Sequence, residues 1–217
     1  MNFLRDNCKS SVITADVLKA CQPFACGDSD MDEFFKQDVL DYAQYHMGKS
    51  YCFRLTNQPD KIVCAFTVST DSIRISTMPR SRRDKMWSIT HHQKRLRRFP
   101  GILIGRLAVA EEFAGRGIGS ELLYIIKQMF LDPGLRAGCR FLIVDAKNDP
   151  AVLPFYEKNG FRILIPSALQ EDLYINPPKN DEERLEREHN LRPLQTRLMY
   201  FDLLDLKDNI PSPPEVL

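Results

Sequence analysis

Residues 101–130, GILIGRLAVAEEFAGRGIGSELLYIIKQMF, constrain the fold more than any other stretch of the chain. Ile102 to Val109 is a short apolar run bounded by Gly101 and the pair Glu111-Glu112, the pattern of a strand buried on both faces. Gly115, Gly117 and Gly119 follow at alternate positions, and Leu122, Ile125, Ile126, Met129 and Phe130 then recur at helical spacing. The glycines therefore stand where a strand gives way to a helix. Such a turn can wrap an anion: glycine accepts positive φ and close approach of a ligand. The first turn of the helix adds unpaired N–H groups and the positive end of its dipole. The same glycines also suit a plain strand-to-helix turn with no ligand.

Spacing separates the anion-binding motifs. A P-loop ends in Gly-Lys-Ser/Thr, and Gly119-Ser120-Glu121 lacks the lysine. A dinucleotide fingerprint counted from Gly115 requires glycine or alanine where Ser120 stands. The segment resembles instead the pyrophosphate-binding motif of the GNAT N-acetyltransferases, Arg/Gln-x-x-Gly-x-Gly/Ala after the fourth strand. Gly117-Ile118-Gly119 fills its glycine half, and Leu107-Ala108-Val109 is the kind of strand end that precedes it. The resemblance implies acetyl-CoA as co-substrate, with its pantetheine arm on the backbone of Leu107, Ala108 and Val109. Its pyrophosphate would lie on Ala114, Gly115, Arg116, Gly117, Ile118, Gly119 and Ser120. One departure matters: Ala114 fills the usual Arg/Gln position, so only its amide can serve, and Arg116 is the residue that can supply the missing charge.

With 217 residues, 43% of them hydrophobic and 27% charged, the chain has the composition of one large soluble globular domain. No run of 18 apolar residues occurs, and the start, MNFLRDNCKS, lacks a signal-peptide hydrophobic region, so no membrane partner and a cytoplasmic location are expected. The six cysteines form no C-x-x-C pair, which points to free, buried thiols and no metal site. Net charge is +1, yet eight basic residues and one acid between Arg80 and Arg98 carry +7, leaving −6 elsewhere. That segment offers an anion a local target, with Arg82, Arg83, Arg95, Arg97 and Arg98 as candidate contacts.

Along the chain, Val12 to Ala20 reads as a first strand or a short helix. Asp28 or Ser29 caps a helix carrying Met31, Phe34, Phe35, Val39, Tyr42 and Ala43, and Gly48 ends it. Tyr51–Leu55 and Ile62–Ser69 are expected strands. The basic segment, residues 78–100, reads as an insertion of loop and short helix, pinned to the core by Trp87 and Ile89 with its arginines in water. His91-His92 is expected to face solvent. After the break at Asp132-Pro133-Gly134, Cys139–Ala146 is a second apolar strand. Asp149 caps a short helix, Ala151–Lys158, which stops at Asn159-Gly160. Phe161–Ile165 and Arg197–Leu203 complete the strands. Residues 166–196 form a charged insertion containing a solvated helix over 181–188, and residues 208–217 are expected to be a disordered tail. The resulting fold class is α/β: a GNAT fold with a mixed central sheet of six to seven strands, about four helices and a single domain over 1–207.

Phe155 to Phe161, FYEKNGF, adds to the resemblance, because GNAT enzymes often carry F-Y-x-x-x-G-F on the helix after strand five, with the tyrosine directed at the thioester. The resemblance makes Tyr156 the catalytic general acid, which protonates the departing thiolate, and gives Asn148 a cofactor-assisting role. An attacking amine must be neutral, and no carboxylate is placed as a base by a motif; Glu111 and Glu112 read as solvent-facing. An α-amino group, with a pKa of about 7.7–8.0, is far more often neutral at pH 7 than a lysine at about 10.4.

A narrower resemblance lies in PFACGDSDMDEFF, in the arginine-rich insertion ending at Phe99-Pro100 and in IGRLAV. Together these look like the branch of the family formed by toxins of toxin–antitoxin pairs. That implies direct acetyl transfer to a primary amine, either a small molecule or the α-amine of aminoacyl-tRNA held by the basic surface, with a small antitoxin as partner. Dimers among similar proteins suggest a homodimer. The competing reading is a non-catalytic nucleic-acid-binding or protein-interaction module on a degenerate GNAT fold, which Ala114 favours.

Overall fold

The computed structural model describes residues 2–89, 96–132, 134, 137–191 and 193–207. The chain begins with α1 (Phe3–Asn7), β1 (Cys8–Val12), α2 (Ala15–Ala20) and α3 (Ser29–Glu33). A π-helical turn over Phe34–Asp38 leads into α4 (Val39–Gln44), followed by β2 (Lys49–Leu55), β3 (Ile62–Arg74), α5 (Arg80–Ser88) and β4 (Arg98–Val109). A 3-10 turn over Glu111–Phe113 precedes α6 (Ile118–Met129), β5 (Phe141–Lys147), α7 (Val152–Lys158) and β6 (Arg162–Ile163). Then come α8 (Ala168–Ile175), α9 (Asp181–His189), β7 (Thr196–Asp202) and α10 (Leu204–Lys207). The strands make one mixed seven-stranded sheet in the order β1-β2-β3-β4-β5-β7-β6. Among the described residues α5, α6, α8 and α9 are the helices of eight residues or more. None is long and apolar enough to cross a membrane.

Two compact units divide the chain, Met1–Thr70 with Ile102–Arg136, and Asp71–Gly101 with Ala137–Leu217. In the first unit β1, β2 and β3 form an antiparallel meander in which Ser11 faces Cys52 and Tyr51 faces Phe66. Val12–Ala20 resolves into the end of the strand β1 and the helix α2, whose start is capped by Thr14 accepting from the Val17 N–H. Asp28 caps α3 as expected, accepting from the Met31 N–H at 3.3 Å. The helix it starts is not continuous. The π-helical turn widens it, and adjacent Phe34 and Phe35 are both buried, packed edge-to-face at 5.2 Å. Nor does Gly48 end it: α4 stops at Gln44, and the following turn places His46 at φ 56°.

β4 departs from the expected double burial. Phe99, Gly101, Ile104 and Ala108 are buried, but Ile102, Leu103, Arg106, Leu107 and Val109 are half-buried and Gly105 is exposed. The apolar run thus covers one face of the core and leaves the other partly open at the end that leads to the glycines.

In the second unit β5 carries buried Phe141, Leu142, Ile143 and Val144 and pairs antiparallel with β7, Asp145 facing Leu198. The strand expected over 161–165 is only two residues long, with Ile163 opposite Met199. Between β6 and β7 the chain runs out through α8 and α9, the charged helix read from sequence. Glu171 of α8 is fully buried and accepts from Arg197 Nε at 2.8 Å and from the Leu198 N–H. Gly160 closes α7 at φ 80°, and a Cβ there would stand 3.0 Å from the Phe201 ring. The basic segment is anchored by Met86, with no exposed surface, and by buried Met78. Trp87 and Ile89 are only half-buried, and the buried position of α5 falls on Met86, the residue before them. The segment also ends earlier than expected, since Arg98 already opens β4. Lys94, Arg95, His91, His92 and the 208–217 tail lie outside the described residues. The cysteines are free; Cys52 and Cys64 are buried, and Cys8, Cys21, Cys26 and Cys139 are half-buried.

Candidate active site

The glycine turn belongs to the first unit. Gly115 and Gly117 hold φ of 72° and 79°, left-handed values that a side chain resists. Gly117 is the N-cap of α6 and makes no side-chain capping bond, so the helix begins on bare backbone. A Cβ built at either glycine meets no atom within 4 Å. Ala114 through Gly117 are exposed, and the first-turn amides of Ile118 and Gly119 have no i−4 carbonyl available to them within α6. Left-handed residues followed by a helix start form a concave array of N–H groups suited to an anion. These residues fit a pyrophosphate.

Two members of the expected set behave differently from the others. Ala114, in extended conformation, donates its N–H to the Glu111 carbonyl at 3.1 Å, so its amide is committed to the preceding turn. Arg116 is exposed, and its guanidinium carbon lies 5.6 Å from the centroid of the Phe113 ring, a cation held at the rim of the turn. Leu107 and Val109 are half-buried and Ala108 is buried, at the strand end that leads into the turn. Glu112 pairs with Lys61 at 2.7 Å, and the Glu111 carboxylate lies over Gly27, where a Cβ would come within 2.7 Å of Oε1.

Tyr156 and Asn148 belong to the second unit. The Tyr156 ring on α7 is half-buried between Phe155, at 5.1 Å, and Phe161, at 5.5 Å between centroids. Burial pushes its phenol up to about 12, so it is fully protonated at neutral pH. Asn148 donates its backbone N–H to the Gln195 carbonyl and its Nδ2 to the Leu194 carbonyl, each at 2.8 Å. Its amide is thus engaged in fastening residues 194–195 to the end of β5.

The basic segment is less free than its composition suggests. Arg82 donates Nη2 to the Ile163 carbonyl at 3.2 Å and to the Tyr200 hydroxyl at 3.1 Å, which ties α5 to β6 and β7. Its side chain is half-buried, against the expectation of arginines in water. Arg83 stacks over Trp87 at 5.4 Å. Arg97 and Arg98 are exposed. Sequence reading missed the acid that follows the glycines, Glu121, whose carboxylate accepts from the Leu4 N–H at 2.9 Å and the Arg5 N–H at 3.3 Å. A partner more than a hundred positions away leaves no local signal.

Residues 85–163 match the family described as acetyltransferase (GNAT) domain. The chain is 28% identical over 141 residues, 64% of its own length and 76% of the relative's, to a tRNA-acetylating toxin of Mycobacterium tuberculosis. Its fold is similar to that of AtaT complexed with acetyl-methionyl-tRNAfMet, with a TM-score of 0.65 at 16% identity over 94% of this chain and 99% of the other. It is also similar to a mutant AtaT toxin bound to the C-terminus of the antitoxin AtaR and acetyl-CoA, with a TM-score of 0.55 at 15% identity over 94% and 98%. At these identities the structural likeness establishes the GNAT fold.

Proposed function

We propose that this chain, a GNAT-family N-acetyltransferase, moves the acetyl group of acetyl-CoA directly onto the α-amine of an aminoacyl-tRNA. The observation that carries the reading is the glycine turn: two left-handed glycines with open space at Cβ, opening onto the bare start of a twelve-residue helix. The choice of acceptor is supported by the tRNA-acetylating relative and by exposed Arg97 and Arg98, whose charge suits RNA phosphates.

Acetyl-CoA supplies an acetyl group activated as a thioester and a thiol leaving group. Backbone groups of Leu107 and Val109 hold the pantetheine arm, and the amides from Gly115 to Ser120 hold the pyrophosphate with Arg116 beside them. Tyr156 gives its phenolic proton to the sulfur as the carbon–sulfur bond breaks, and regains one from the nitrogen that becomes the amide. Burial holds the phenol near 12, further above a thiol than an ordinary tyrosine lies. That favours return of the proton from the attacking nitrogen within the same step. The weakly basic α-amine of an aminoacyl ester arrives neutral without help from a carboxylate, consistent with Glu112 being paired to Lys61.

A small antitoxin is the partner this reading implies, along with a cytoplasmic location and a homodimer. The test is incubation with labelled acetyl-CoA and a panel of aminoacyl-tRNAs, polyamines, peptides and small amines. Label on the amino acid of one or more aminoacyl-tRNAs is expected. Label only on small amines or peptides rejects the tRNA substrate, and label on nothing, with no binding of acetyl-CoA, rejects the enzyme.

A further inference from the structure

The N-terminal helix α1 has five residues, too few to persist in water on its own. Its N-cap Asn2 makes no side-chain capping bond. The amides of Leu4 and Arg5, in its first turn, are satisfied instead by one oxygen of Glu121, at 2.9 and 3.3 Å. Leu4 has no exposed surface, and the Arg5 guanidinium lies over Tyr124 of α6, 5.5 Å from the ring centroid. One residue earlier, the Phe3 ring packs against Phe113 at 5.9 Å. Phe113 is buried and in turn carries Arg116 over its ring at 5.6 Å and the Lys61 ammonium at 6.0 Å.

Phe113 is the residue immediately before the turn and Glu121 the residue immediately after it. Consecutive side-chain and backbone groups of α1 therefore grip both ends of the segment 114–120. The Glu121 backbone is itself part of the turn, since its N–H donates to the Gly117 carbonyl at 3.1 Å. Nothing else about α1 suggests a role in transfer, and Glu121, a carboxylate one turn into the helix that would receive a pyrophosphate, is a poor choice unless its charge is engaged elsewhere. Two backbone N–H groups engage it.

We propose that α1 braces the glycine turn, with Phe3 and Glu121 as positioning residues that hold residues 114–120 in the conformation that receives pyrophosphate. The effect on acetyl-CoA rests on the acetyltransferase reading; the effect on the turn does not.

The test uses the full chain carrying Phe3→Ala, Phe3→Leu, Glu121→Ala or Glu121→Gln. Hydrogen exchange of the bonded amides that frame the turn, Phe113 and Ala114 on one side and Glu121 on the other, is followed without ligand, and kcat and both KM values are measured. Phe3→Ala and Glu121→Ala are expected to speed exchange of these amides by about tenfold or more, relative to β5 in the same molecule. They are expected to raise the acetyl-CoA KM with kcat and the acceptor KM near wild type. Phe3→Leu and Glu121→Gln, which keep a packing group and an accepting oxygen, restore both. Exchange of the Phe113, Ala114 and Glu121 amides that matches wild type in both alanine variants overturns the brace, even if they melt earlier. So does a fall in kcat with the acetyl-CoA KM unchanged. If the wild type fails to bind acetyl-CoA, the acetyltransferase reading falls, and the exchange result alone decides the brace.

Discussion

The guanidinium of Arg82 lies over the ring of Tyr200, 5.4 Å from its centroid, and donates to that residue's hydroxyl at 3.1 Å. With its second bond, to the Ile163 carbonyl, it fastens the basic helix to the two strands at the edge of the second unit. The most basic stretch of the chain therefore contains arginines of two kinds.

Arg82→Ala is expected to cost about 1–3 kcal/mol of stability, because two acceptors lose a charged donor. Replacing Arg97 and Arg98 together should leave the melting temperature nearly unchanged. The double variant should instead raise the KM for aminoacyl-tRNA and flatten its dependence on salt. Thermal melts and kinetics at two salt concentrations separate the outcomes.

Gly117→Val places a β-branched residue at φ 79°, a strain of about 1–3 kcal/mol. The free protein should melt earlier, and saturating acetyl-CoA, expected to raise the melting temperature of the wild type, should no longer raise that of the variant. A variant still stabilised to the wild-type extent would remove the turn from the binding site.

Tyr156→Phe should keep acetyl-CoA affinity and lower kcat by about 10²–10⁴-fold, the usual worth of a positioned acid. The wild-type phenol, at about 12, should show no deprotonation limb in the rate below pH 10. Its linkage to folding has a fixed sign. The folded value is raised, so the contribution is complete below about pH 10, the ordinary tyrosine value, and disappears as pH climbs toward 12. Melting of wild type and Tyr156→Phe between pH 8 and 11 checks this, with the variant losing less stability at the alkaline end.

Lys127 of α6 is buried, with 6% of its surface exposed, and burial lowers its pKa to about 8. The unfolded chain holds that proton up to the ordinary lysine range, so stability rises with pH between about 8 and 10.5. Lys127→Met should abolish this rise, so that its melting temperature changes less than that of wild type as pH is raised through that window.

Local signals in the sequence were enough for the glycine turn. Alternate glycines between an apolar run and a 3.6-residue repeat have few other uses, and Gly117 does end in the left-handed region at the start of a helix. The order of strands from Tyr51 onward was legible for the same reason, whereas α8 went unread inside the charged insertion. Hidden were the features that depend on distant partners. The helix through Phe34 and Phe35 carries a π-helical turn because both rings are drawn inward, and a fixed period has no place for an inserted residue. Trp87 looked like the anchor of the basic helix by size, whereas Met86 occupies the buried position. Arg82 looked solvated, since composition gives no hint of Tyr200, 118 positions later. α1 was too short to show a period at all.

The excursion through α8 and α9 leaves and returns at nearly one point, because Ile163 pairs with Met199 and the Leu164 N–H donates to the Leu198 carbonyl. Topologically it is an expanded hairpin loop. Its length can change by whole helices without shifting the register of β7 on β5, provided the bolt formed by Glu171 and Arg197 is kept or both members are removed together. The rim of the sheet is thus a place where this chain can take up or lose surface while β5, β6 and β7 keep their neighbours.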